Sequence, residues 1–129
     1  MGFAVDQEES TLQSFGSAVD ALIAWDCGFK GWHEGVAKSP VLAAFATLQA
    51  AIWCHVLSEI TPGQAALIVT HGGMIEAGVM VAAQTFAWST AGEAIGCAEG
   101  VRLWFEEQQC VHAIVLRFNR DREEQSVIR

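Results

Sequence analysis

A chain of 129 residues is one domain or part of one, since a single core of this size is the usual folding unit. Hydrophobic residues make up 52% and charged residues only 17%, which excludes general disorder and leaves only the polar tail, residues 119–129, as a candidate for it. The net charge of −8 excludes a nucleic-acid surface, because phosphate backbones need basic partners.

Ser10-Thr11-Leu12-Gln13 reads as a helix start, with Ser10 as N-cap and Gln13 closing a capping box. Leu12, Phe15, Val19, Leu22 and Ile23 recur at helical spacing, and Gly28 can end that helix. Residues 28–38 read as a Gly-rich, Trp-bearing loop. Ser39-Pro40 opens a second helix, Ser as cap and Pro at the first helical position. Its expected buried stripe is Val41, Phe45, Leu48, Ile52 and Val56, and Pro62-Gly63 stops it. Residues 65–70 form a short continuous apolar run, the pattern of a strand buried on both faces. Gly72-Gly73 breaks the run, and residues 74–88 resume as a helix apolar nearly all round, which places it inside. Residues 101–105 and 111–118 are two strand-like runs joined by a polar segment, a hairpin pattern. The predicted order is α-α-β-α-β-β without repeats. The class is α/β, with a sheet that looks incomplete.

The N-terminus turns acidic before any apolar core of a signal develops. The most apolar stretch, residues 65–88, carries His71, Glu76, Gln84 and two glycines, so it reads as buried and not as a membrane span. Cys27, Cys54, Cys97 and Cys110 are scattered without a C-x-x-C pair, which fits a reduced, cytoplasmic setting with the cysteines as small buried groups.

The junction Leu67-Ile68-Val69-Thr70-His71-Gly72-Gly73 is the segment patterned for chemistry. Ligands of open α/β sheets collect where strands end and helices begin. The glycines allow a tight turn and close backbone approach, the first helical turn offers amides, and the helix dipole favours an anion. Residues 1–100 hold ten acidic side chains against Lys30 and Lys38 and contain no Arg. A phosphate site there must therefore use amides, His or those lysines, and His71, Gly72 and Gly73 supply the first two.

The segment Pro62-Gly63-Gln64-Ala65-Ala66-Leu67-Ile68-Val69-Thr70-His71-Gly72-Gly73-Met74-Ile75 resembles the block of the histidine phosphatase superfamily, the phosphoglycerate-mutase-like phosphatases, in which the second catalytic His ends a strand. The helix bearing Phe45 fits the family's preceding helix. Cys97-Ala98-Glu99-Gly100-Val101-Arg102-Leu103 and Leu116-Arg117-Phe118-Asn119 resemble its closing strands. The resemblance covers residues 39–119, with a helix and loop (1–38) before it and a polar tail (120–129) after it. It implies a partial three-layer sandwich of the phosphoglycerate-mutase-like type lacking the family's N-terminal strand. The family's nucleophile, the His of an Arg-His-Gly motif, is absent from this sequence, as are its arginine clamps.

By resemblance His71 contacts a phosphoryl group without carrying it covalently. Gly31-Trp32-His33-Glu34-Gly35 loosely resembles a family loop near the carboxylate proton donor, which makes Glu34 the candidate general acid, although an extra His separates Trp from Glu.

Other readings of these residues are weaker. An α/β-hydrolase needs a G-x-S-x-G turn, and neither Ser89 nor Ser126 is flanked by glycines. Cys54-His55 and Cys110-x-His112 lack the paired spacing of structural zinc. The five Trp lack the basic groove that stacking platforms need, so they read as packing.

The expected function is a histidine-phosphatase-like domain, related to phosphomonoester hydrolysis or phosphoryl transfer and inactive alone. A phosphorylated small molecule or phosphate is the expected ligand, with no cofactor, metal, nucleic acid or membrane. The alternative is a non-catalytic module that oligomerises with itself or with a complementing chain, because a sheet lacking a central strand leaves apolar edges open.

Overall fold

The computed structural model describes residues 15–118 and 124–129. The predicted cap at Ser10, its partner Gln13 and Leu12 lie outside the described residues. Residues 15–22 form the described part of helix α1, with Val19 buried and Leu22 half exposed. Helix α2 spans Gly28–Lys38, α3 Pro40–Ser58 and α4 Met74–Ala82, followed by a 3₁₀ turn at Trp88–Thr90. Strands β1 (Gly100–Glu106), β2 (Gln109–Leu116) and β3 (Glu124–Ser126) form an antiparallel sheet in the order β1-β2-β3. The class is mixed α and β.

Where a loop is predicted at 28–38, the chain is helical. Phe29 and Trp32 recur at helical spacing and are fully buried, and burial of two large rings outweighs the poor helix propensity of three glycines. Gly35 is where α3 crosses: a Cβ there would sit 2.9 Å from the Leu42 side chain.

Helix α3 starts as its sequence signals. Ser39 Oγ accepts the Leu42 amide at 3.3 Å and Pro40 stands in the first turn. The stripe is rotated from the predicted one. Leu42, Phe45, Ala46, Gln49, Ala50, Ile52 and Val56 are buried, whereas Val41 and Leu48 face solvent. By length and composition α3 is apolar enough to cross a membrane, yet its inner stripe is part of the core.

Residues 65–70 do not pair as a strand. The sheet is built from the last third of the chain, and no backbone group of 65–70 finds a hydrogen-bond partner among the described residues. Leu67 is 88% exposed and Val69 74%, the reverse of the predicted two-sided burial.

Helix α4 is internal as predicted, but it ends at Ala82, six residues short of the predicted Trp88. The Ala83 carbonyl accepts both the Phe86 amide and, at 2.8 Å, the Trp88 indole N–H, which turns the chain out of the helix. Trp88 then stacks on Phe29 with ring centroids 5.5 Å apart. Trp25, Trp32, Phe15 and Phe45 form a second ring cluster.

The hairpin is present with a two-residue turn, Glu107-Gln108, and a register shift beside Trp104. The tail is not all irregular. β3 pairs with β2, Val127 is buried, and the Ala87 amide donates to the Ile128 carbonyl at 2.7 Å. One apolar core thus runs from Val19 through the helices to Val115 and Val127.

Candidate functional site

The segment 65–70 delivers the chain to His71, which is exposed, and Gly72 and Gly73 turn it into α4. Both glycines have packing reasons. A Cβ on Gly72 would lie 2.5 Å from the Ile95 carbonyl oxygen, and Gly73, at φ +85°, would place one 2.6 Å from the Trp25 ring. The His71 carbonyl accepts the Ile75 amide at 3.2 Å, so the residue's backbone belongs to the helix start while its imidazole faces outward.

A carboxyl group of the chain itself fills this helix N-terminus. Glu76 is fully buried, and its carboxylate accepts the Gly73 amide at 2.6 Å and the Ile95 amide at 2.9 Å. The expectation that the first-turn amides are free for a ligand is corrected at Gly73. A carboxylate at the third helical position reaches back to the N-cap amide, and the helix dipole favours it there. The spacing Gly73-Met74-Ile75-Glu76 carries half of a capping box, a signal that was legible in the sequence. What the spacing could not show is the second bond, which ties residue 76 to residue 95.

Behind this corner the loop between α4 and β1 is held by a second polar cluster. The Arg117 guanidinium donates to the carbonyls of Glu93 (2.7 Å), Ala94 (3.1 Å) and Ala91 (3.4 Å) and pairs with Glu99 at 3.2 Å. Glu99 also accepts the Gly96 and Phe118 amides. Desolvation pushes the Glu99 carboxyl up, but these amides and Arg117 together outweigh it and hold the group below its ordinary value. Arg117 and Glu99 are only slightly exposed, so this is a structural clamp and its cation is already engaged.

Glu34 lies on the exposed side of α2, and among the described residues no hydrogen bond or ion pair joins it to His71. Trp32, from the same motif, points inward and gives its indole N–H to the Trp25 carbonyl at 3.3 Å. The motif's residues therefore divide between core and solvent.

Cysteine burial differs from expectation: Cys27, Cys54 and Cys97 are exposed and only Cys110 is buried. Burial pushes the Cys110 thiol up, and partial desolvation of the sulfur does the same at Cys27 although the residue as a whole is exposed, which keeps both protonated and unactivated. No cluster of three potential metal ligands occurs among the described residues.

The arrangement can present one imidazole and the exposed Gly72 backbone to a small anion, over a buried carboxylate. No family model, curated protein or solved structure matches the chain.

Proposed function

We propose that this chain carries the phosphoryl-contacting corner of a histidine-phosphatase-like site, with His71 as its donor and without the nucleophile that turnover requires. The observation behind the reading is His71 itself, exposed where the apolar segment 65–70 meets the N-terminus of α4. The surrounding residues also set its strength. With the Gly73 amide given to Glu76, the His71 imidazole and the Gly72 amide remain, and a net contribution of roughly 2–3 kcal/mol from them is equivalent to about ten to tens of millimolar for phosphate. In a complete site of this type a second His attacks the phosphorus and His71 stabilises the charge on the transferring group. Without the nucleophile and arginine clamps, the rate falls by orders of magnitude.

The test is a phosphate titration followed by NMR, with an aryl phosphate assay beside it. Shifts at His71 and the Gly72 amide, absent from His71→Ala, together with no turnover, are expected. Silence at both positions while other amides shift would remove the phosphoryl reading.

A second reading, an oligomerising or partner-binding module, is favoured by a different observation, the exposure of Leu67 and Val69 on a segment whose backbone has no hydrogen-bond partner among the described residues.

A further inference from the structure

Residues 67–70 alternate in burial as a strand does when one face rests on protein, with Ala65 and Ala66 exposed before them. Leu67 and Val69 are exposed, while Ile68 and Thr70 are partly covered. Their amides and carbonyls are unpaired among the described residues, and β-branched side chains at Ile68, Val69 and Thr70 favour an extended backbone. Such a segment is a template for another strand.

The charge pattern selects which strand. Between Lys38 and Glu76 the sequence carries one formal charge, Glu59, although the chain as a whole is at −8. Two copies repel each other over most of their surface and can approach where charge is lacking. A basic partner, by contrast, gains nothing at residues 65–70. The segment is also self-complementary. An antiparallel pair with its two-fold axis at Ile68 sets Leu67 of each copy opposite Val69 of the other, so the two large exposed side chains of the segment cover each other.

We infer that residues 65–70 form the interface of a homodimer, each copy adding its segment antiparallel to the other's as a two-stranded ladder. This deepens the oligomerising reading by naming the partner as a second copy, and it is independent of phosphate binding. A strand pair alone covers less than the roughly 800 Å2 per partner of a standard interface, so the dimer is weak, with a dissociation constant on the order of micromolar.

Sedimentation velocity from about 1 µM to about 1 mM, spanning that range, reads the mass. Hydrogen exchange of the 65–70 amides at both ends of the series reads the ladder. The expected result is a rise toward twice the chain mass with protection appearing at residues 65–70. Leu67→Lys with Val69→Lys should abolish both, whereas Leu22→Lys, at another exposed leucine, should leave both unchanged. Because Leu67 and Val69 are exposed, the double variant should keep its helical circular dichroism. A wild-type chain that stays monomeric with unprotected 65–70 amides overturns self-pairing but leaves a partner-binding role standing. Association that survives the double variant places the interface elsewhere and also overturns the proposal.

Discussion

Glu76 shows how much one residue can decide. Its two carboxylate oxygens hold the amide that opens α4 and an amide of a loop nineteen residues later, with no exposure to water. Truncation strands two buried donors, each costing roughly 1–3 kcal/mol, so Glu76→Ala should lose about 2–6 kcal/mol, a large part of a typical domain's stability. Urea unfolding of the variant checks this, and a change under 1 kcal/mol would mean that water replaces the carboxylate. Gln49 behaves in the opposite way. It is fully buried on α3, and neither its amide oxygen nor its nitrogen has a partner among the described residues; the indole nitrogen of Trp53, one turn on, has none either. Nothing in the described structure explains why a glutamine stands there.

At the scale of elements, the hairpin turn is the clearest misfit between sequence and geometry. Glu107 and Gln108 have φ of +50° and +68°, the pattern of a type I′ turn, which Asn-Gly adopts without strain and most other residues do not. Glu107→Asn with Gln108→Gly should therefore raise stability by about 1–2 kcal/mol, visible as a higher urea midpoint with an unchanged slope. An unchanged or lower midpoint would show that the backbone relaxes around the native pair. The helices teach the converse lesson. Three glycines in α2 argue against a helix by propensity, yet the element forms because Phe29 and Trp32 have a core to enter.

The whole molecule is joined by its polar clamps as much as by its core. Arg117 and Glu99 bind the end of β2, the start of β1 and the loop that carries Ile95, which is in turn bonded to Glu76. Because Glu99 titrates lower in the folded chain than its ordinary 4.5, its contribution is fully present above that value and is lost as pH falls through the lowered one. Wild-type stability should thus fall on acidification below about pH 4.5, while Glu99→Gln, which lacks this ionisation, should show a shallower fall across the same window. Unfolding midpoints taken stepwise from neutral pH to about pH 3 test this, and parallel curves would assign the acid sensitivity to other carboxylates.

Local signals in the sequence determined the start of α3 at Ser39-Pro40, the break at Gly72-Gly73, the internal character of α4 and the terminal hairpin. Each rests on hydrogen bonds or periodicities within a few residues of one another. The tertiary structure alone decided three other things. Whether an apolar run becomes a strand depends on partners distant in sequence, and residues 65–70 have none among the described residues. Whether a Gly-rich stretch becomes a helix depends on a core that receives its rings. Whether the amides at a helix N-terminus stay open to a ligand depends on what else can reach them. At this corner Glu76 does reach, and it leaves His71 as the outward-facing group of the predicted site.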